Sequence, residues 1–445
     1  MKKAVLRTLK WLGLMLLTAL VLTVAFRFLY ARNWRGTAHA PQTLDVPWSC
    51  AAADGVISPE EIALHYAPQI DQAVNVLLSS GGRGDFITAV NYDGDWSCLN
   101  NWDNLRAGDL GAVVYYSVQE TDTHYYVGYH FYHPRDDAEI WLDRHENDME
   151  GIILAVPKAT DAWLPPEYMY TQGHGKVYFY LSSDDTPKML HGSTHAGQIA
   201  LTEDGRPWIY ITPNGTLSNC GHSVESAAGH STYWSVGNSG VRYVPGGEAQ
   251  TPRTWNGPFR QNACSYALQP LQELWQRRHG PYNGTGTFGS YGAFDGDNWG
   301  EDKANPPWAW RNKTVYGFGG SFLSDPVWTL NHAIAGADLS AAYVRNGFAD
   351  WRVSVQHVHL PDGVTPADCT LHLFQDTWEI SAPSWFTLTE ADGLYRVTMG
   401  ESGREAIFVA AHAGAQWRME VHDHEGNRIP GAHVTFTASR VIAAP

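Results

Sequence analysis

The first forty residues contain no Asp or Glu, and the whole 445-residue chain contains no Cys-x-x-Cys pair, no internal repeat and no low-complexity tract. The absence of repeats leaves a solenoid or propeller without support. No Gly-x-Ser-x-Gly elbow, phosphate loop or dinucleotide fingerprint occurs, so serine-hydrolase, NTPase and NAD-dependent readings have nothing to rest on. Charged residues are sparse at 17%, but with 44% hydrophobic residues the balance is that of a globular protein rather than a disordered one. The length exceeds what one core uses, so two folded domains are expected.

The acid-free N-terminal segment carries seven Lys or Arg, and Lys2, Lys3, Arg7 and Lys10 precede an apolar run from Trp11 to Phe26. These sixteen residues fall short of the roughly 20 that span a bilayer. Phe28, Leu29 and Tyr30 extend the run if Arg27 snorkels to the interface. Residues 1–40 are therefore expected to act as a signal and single-span anchor, with the chain from about residue 41 outside the cytosol by the positive-inside rule. The rival reading is a cleaved signal peptide ending at Ala38-His39-Ala40, although that site lies far beyond the apolar run and precedes Pro41. The expected location is the cell envelope or the secreted space. No small-residue motif before Cys50 suggests a lipoprotein.

Removing those seven cations from the total of 30 leaves 23 basic residues against 46 acidic ones beyond residue 40, a net charge of −23. Such a surface repels nucleic acid and favours solubility and cation recruitment. Cys50, Cys98, Cys220, Cys264 and Cys369 all fall where disulfides form, but five is odd, so at least one thiol stays unpaired within the chain.

Ser58-Pro59-Glu60-Glu61 reads as a helix start, with Ile62, Leu64, Tyr66, Ala67 and Ile70 behind it. Residues 111–118, 124–132, 149–156, 176–182 and 207–212 are short runs rich in Val, Ile, Tyr and Phe and read as strands. Leu268, Leu271, Leu274 and Trp275 follow helical spacing, while residues 280–325 are crowded with Gly, Asn, Pro and aromatics and read as ordered loop. From about residue 345, strand-like runs at 351–358, 370–374, 394–399, 406–411, 417–422 and 433–438 predict a small C-terminal β-sandwich over 345–445. The fold class is mainly β with peripheral helices, and a first domain spans 41–340.

The segment Tyr132-His133-Pro134-Arg135-Asp136-Asp137, followed by His145-Glu146-Asn147-Asp148-Met149-Glu150-Gly151, carries the chemistry. In an extended chain Asp148 and Glu150 point the same way, and two neighbouring carboxylates repel unless a cation joins them. A loop that brings Asp137 and His145 to the same face completes three carboxylates and one imidazole. Oxygen-dominated ligands favour Ca²⁺ or Mg²⁺ over Mn²⁺ or Zn²⁺. An acidic loop with a His at a strand start is also a common solvated turn.

The stretch Tyr129 to Gly151 resembles the Vps62-like family and, more distantly, the necrosis- and ethylene-inducing-like (NLP) proteins. Leu64-His65-Tyr66-Ala67-Pro68, Asp85 to Thr88, Asn91 to Trp96, Trp208 to Ile211 and Gly221 to Glu225 also resemble the Vps62-like pattern, which covers about residues 58–330. The resemblance implies a β-sandwich core. In the NLP proteins a heptapeptide Gly-His-Arg-His-Asp-Trp-Glu with an upstream Asp holds a divalent cation needed for membrane damage. The match implies Asp137, His145, Asp148 and Glu150 as metal ligands. Asn147 replaces the second His, Met149 replaces Trp and no Gly precedes His145, departures that weigh against cytolysis.

His222 and Glu225 are expected either to reach this site as ligand or acid/base pair, or to sit in a satisfied loop. His191 and His195 lack the helix their spacing needs for a metal. His124, His130 and His133 are expected in core packing or in support of the site. Arg83-Gly84-Asp85 reads as a turn rather than an adhesion signal. Asn214-Gly215-Thr216, Asn283-Gly284-Thr285 and Asn312-Lys313-Thr314 matter only in a glycosylating host. The 19 Trp residues belong mostly to the core, with sugar stacking as the alternative.

Three functions follow. The first is a cation that bridges the site to an anionic lipid head group or glycan through an open coordination position. The second is a metal-dependent hydrolase of phosphate or glycosidic esters with His222 or Glu146 as base. The third is an envelope protein whose metal fastens loops. Oligomeric state is not legible.

Overall fold

The structure is a computed structural model. It describes residues 2–33, 57–75, 79–137, 144–160, 162–173, 176–214, 221–227, 240–253, 262–279, 287–289, 292–295, 305–310, 318, 320–381, 385–391, 393–399, 404–412 and 414–441. Cys50, Cys220, the Ala38-His39-Ala40 site and the sequons at Asn283 and Asn312 lie outside them.

The N-terminal segment forms one helix, Lys2–Asn33. Within it Arg7–Ala25, 19 residues of mean hydropathy 1.8, is long and apolar enough to cross a membrane, and none of it is buried against the rest of the chain. The helix Pro59–His65 starts as expected. Ser58 Oγ accepts the Glu61 N–H at 3.1 Å and Glu61 Oε2 accepts the Ser58 N–H at 2.8 Å, a reciprocal cap. It ends earlier than the apolar spacing suggested because Pro68 excludes Ala67 from helical backbone, and Ile70 enters a strand instead.

Twelve strands build one sheet: β1 Gln69–Ala73, β2 Val113–Thr121, β3 His124–Asp136, β4 His145–Pro157, β5 Tyr168–Gly173, β6 Lys176–Leu181, β7 Thr194–Gln198, β8 Trp208–Ile211, β9 Val224–Ser226, β10 Gly240–Pro245, β11 Ala263–Pro270 and β12 Tyr343–Arg345. Their order is β7-β6-β5-β4-β3-β2-β11-β10-β1-β8-β9, with β12 on β2. The sheet curls until β9 returns to β5. A Cβ on Gly173 would stand 2.7 Å from Ser223 Cα and 2.9 Å from Val224 N, so only glycine allows the two backbones to meet there. The mainly β expectation holds, and the arrangement is a single sheet close to a closed barrel.

Residues 263–270 overturn the helical reading of Leu268. β11 runs parallel to both β2 and β10, Leu268 pairs with Val114, and the helix Gln272–Arg277 begins only afterwards. Ala263, Cys264, Ser265 and Tyr266 are all buried, so both faces of the strand's first half lie inside and the period-two signature is lost. Among the described residues of 280–325, short turns at Pro307–Ala309 and Ser321–Ser324 precede a helix, Pro326–Ala333, capped by Asp325.

The C-terminal part contains β13 Trp351–His359, β14 Thr370–Gln375, β15 Trp378–Glu379, β16 Phe386–Ala391, β17 Leu394–Met399, β18 Ala406–Val409, β19 Trp417–His422 and β20 His433–Arg440. They form a five-stranded sheet around β13 and a three-stranded sheet, β15-β14-β19. Val353, Val355, Leu371, Leu373, Ile407 and Val421 of the two sheets share one apolar cluster, which Phe318 and Trp328 join from before residue 340. Arg404 grips Asp325 with both terminal nitrogens, at 2.9 and 3.2 Å, and ties this cluster to the first. Cys98, Cys264 and Cys369 are free buried thiols.

Candidate metal centre

β3 and β4 are long antiparallel neighbours, and residues directly opposite one another in such a ladder share a face. The register sets His133 against Asp148, Phe131 against Glu150, Arg135 against Glu146 and Asp136 against His145. One interior end of the sheet thereby collects alternating polar residues from both strands. Asn147 interrupts the alternation with a φ of 60°, a left-handed backbone that Asn tolerates. Its amide makes four bonds: Oδ1 accepts from Tyr132 Oη (2.7 Å) and Asn101 Nδ2 (2.9 Å), and Nδ2 donates to the carbonyls of Cys98 (3.0 Å) and Asp295 (2.9 Å).

Among the described residues, one group of three brings metal-ligating atoms within 4.8 Å of one another: His133, Asp148 and His222, all buried. His222 arrives from the loop before β9 and stacks on His133 with ring centroids 3.7 Å apart and an interplanar angle of 14°. Its Nδ1 lies 2.7 Å from Asp148 Oδ2 and its Nε2 lies 3.1 Å from Asp85 Oδ1. Burial pushes the His222 pKa down, but hydrogen bonds and charge from Asp148 and Asp85 outweigh that and raise it to about 10. His133 behaves oppositely: burial and the His222 charge hold it well below the usual histidine value. Its Nε2 sits 3.3 Å from Gln72 Oε1, and its Nδ1 is buried with no hydrogen-bond partner.

Of the ligands expected from sequence, Asp148 is in this group. Glu150 is buried two positions along the same strand. His145 pairs with Asp136 instead, Nε2 to Oδ2 at 3.5 Å. Burial lowers the His145 pKa, but Asp136 and Asp148 overcome it and raise the value to about 9. Burial and Asp148 push Asp136 up to about 6, against the opposing pull of His145. Asp137 Oδ1 takes Arg135 Nη2 at 2.5 Å, and that guanidinium lies 3.9 Å over the Trp102 ring.

The acid/base candidates separate. Glu146 Oε1 accepts the Trp102 N–H at 2.9 Å. Glu225 is half-buried between the buried Val224 and Ser226, so strand alternation turns it away from their side. Burial raises its pKa. His191 stacks on His332 at 3.9 Å, and His195 Nε2 bonds the Gly197 carbonyl. His130 is buried core, 3.2 Å from Ser117 Oγ.

Two participants were not singled out from sequence. For His133 the sequence suggests core packing or support of the site; the signal that places it in the group is the register of the β3–β4 ladder, which sets it opposite Asp148. Asp85 belongs to the turn Arg83–Asp85, a turn as expected, yet its carboxylate is fully buried. No local pattern marks it, because His222 and Asn214, which meet its Oδ1, come from more than a hundred residues away.

No protein-family model matches the chain. No curated protein matches it either. Solved structures that match include "Toxin fold for microbial attack and plant defense", 12% identical over 57% of this chain and 92% of that one with a TM-score of 0.28. "Crystal structure of non-toxic HaNLP3 protein" is 11% identical over 54% and 87%, with a TM-score of 0.26. "NLPPya in complex with glucosamine" is 11% identical over 57% and 90%, with a TM-score of 0.28. The neighbours are thus NLP toxin-fold proteins, at identities and TM-scores too low to carry any argument about this chain, and nothing matching represents the Vps62-like family.

Proposed function

We propose that this chain is a membrane-anchored, extracytoplasmic protein whose β body binds one divalent cation through His133, Asp148 and His222, and that the ion fastens the loops at one end of the sheet. The observation that carries this reading is the buried convergence of two imidazoles and a carboxylate, in which His133 Nδ1 is buried without a hydrogen-bond partner. A buried nitrogen without a partner is disfavoured unless a ligand occupies it. The three residues come from β3, β4 and the loop before β9, so one ion would join segments that are distant in sequence.

The donor set fits a metal but alters the expected choice. Two nitrogens and one oxygen suit Zn²⁺ better than the oxygen-rich sites preferred by Ca²⁺, Mg²⁺ and Mn²⁺. In this reading Asp137, His145 and Glu150 are not ligands. The N-terminal helix and its flanking cations support the anchor.

Bridging to an anionic head group or glycan needs a coordination position reachable from outside, whereas all three donors are buried. Burial therefore supports the fastening role first. The hydrolase reading has less support: Glu146 Oε1 accepts the Trp102 N–H, and strand alternation turns Glu225 away from the side of Val224 and Ser226.

Thermal unfolding and limited proteolysis of the full chain in detergent, with chelator and then with Zn²⁺, Mn²⁺, Ca²⁺ or Mg²⁺ restored, tests the role. Fastening predicts a rise in unfolding temperature and protection around residue 222. An ion at a hundred times its Kd stabilises by about 2.7 kcal/mol. Cation-dependent capture of phosphate esters or sugars without any change in stability would move the head-group reading to first place.

A further inference from the structure

His133 and His222 share an arrangement that their ligand role alone does not require. Each ring presents Nε2 to a buried acceptor outside the candidate ligand set: Gln72 Oε1 at 3.3 Å for His133 and Asp85 Oδ1 at 3.1 Å for His222. Each leaves Nδ1 on the other side. His133 Nδ1 is buried without a partner, and His222 Nδ1 faces Asp148 Oδ2.

The Asp85 carboxylate is fixed independently of the ring it serves. Oδ2 accepts the Asn75 N–H and Oδ1 accepts the Asn214 N–H, both at 2.7 Å. Neither oxygen is exposed, because Asp85 is fully buried. An acceptor clamped by two backbone donors keeps its orientation whether or not the imidazole is present. A ring that donates to it from Nε2 keeps that proton, and Nδ1 becomes the nitrogen available to an ion. Gln72 lies on β1, whose ladders to β8 and β10 hold its backbone, and its amide oxygen performs the same task for His133.

We infer that Asp85 and Gln72 are positioning residues that select Nδ1 of His222 and of His133 as the metal-ligating nitrogens. This rests on the cation site proposed above. Loss of such an outer partner commonly weakens metal binding 10- to 100-fold while the ligands themselves remain. Asp85 also links the site to the segments around Asn75 and Asn214, so positioning of the ligand and closure of that end of the sheet depend on one carboxylate.

The test combines Zn²⁺ titration with ring-nitrogen NMR of the ¹⁵N-labelled full chain, comparing wild type with Asp85→Asn, Gln72→Leu and Asp148→Ala. The expected result is zinc on Nδ1 and the proton on Nε2 of both rings in the wild type. Asp85→Asn and Gln72→Leu should each weaken zinc binding 10- to 100-fold and mix the two ring tautomers, and Asp148→Ala should remove binding. Two different variants guard against one of them failing to fold. A wild type that binds no zinc overturns the cation site itself. Zinc binding that survives in Asp85→Asn and Gln72→Leu at wild-type affinity, or zinc found on Nε2, overturns the positioning role alone. A lower unfolding temperature with unchanged affinity and ring signals would make Asp85 a purely structural group and equally overturn it.

Discussion

His133 stands directly opposite Asp148 in the β3–β4 ladder, and that pairing, together with a third side chain from the loop before β9, creates the one cluster of metal-ligating atoms among the described residues. Gln72 and Asp85 flank the two imidazoles. The consequences can be measured one residue at a time.

Asn147 ties the left-handed kink of β4 to four separate groups. Replacing it with Ala removes all four bonds and puts at a positive φ a residue without the polar side chain that lets Asn tolerate it. The expected loss is about 3 kcal/mol. Urea denaturation of Asn147→Ala measures it, and a loss below about 1 kcal/mol would mean that the kink is held elsewhere.

Gly173 marks the point where the curled sheet meets itself. In Gly173→Ala the added methyl group would press on the Ser223 and Val224 backbone, neighbours of His222. Backbone cannot yield as a flexible side chain does, so the variant should lose about 2 kcal/mol and bind metal more weakly. Unfolding and metal titration of the same sample read both effects. Lower stability with unchanged affinity would separate closure of the sheet from the site.

Arg404 is the partner of Asp325, a fully buried carboxylate that also accepts the N–H groups of Trp328 and Phe408 and the hydroxyl of Tyr343. Arg404→Ala leaves that charge without its cation at the junction of the two apolar clusters. Breaking a buried pair from one side costs about 4 kcal/mol. Calorimetry should show the C-terminal strands unfolding earlier, and an unchanged unfolding profile would contradict the assigned role.

Acid should act through histidines that fold neutral. Burial pushes His130 down to about 3, and burial with the neighbouring His191 pushes His332 down to about 2, against about 6.5 when unfolded. Below pH 6.5 the unfolded chain binds protons that the folded one refuses. The stability from these groups is present above 6.5 and lost as pH falls, by about 2 kcal/mol per histidine at pH 5. His145 has the opposite sign, with a contribution present below pH 6.5 and lost as pH rises through about 9. The denaturation midpoint of wild type should fall between pH 6.5 and 5 more than that of His332→Phe; equal slopes would refute the assignment.

Sequence made the strand-rich class, the capped helix at Ser58 and the apolar N-terminal helix legible, because each rests on neighbours in the chain. Leu268 misled because a strand between parallel neighbours carries no alternation that distinguishes it from a helix. Within the site, Asp148 and Glu150 were visible as alternate residues of one strand. His133 needed the ladder register, and Asp85 needed contacts to Asn75, Asn214 and His222 that only the folded chain creates. His145 as a ligand rests on the motif resemblance, and the ladder sets Asp136 opposite it, with Oδ2 3.5 Å from its Nε2.

Elemental analysis of the full chain purified in detergent, wild type beside Asp148→Ala, tests the cation site most directly. One equivalent of zinc is expected in the wild type and none in the variant, with both proteins folded by circular dichroism. A folded wild type that neither carries an ion nor takes one up on titration would contradict it, and the Asp85–His222–Asp148 chain would then be a buried ion triplet that needs no metal.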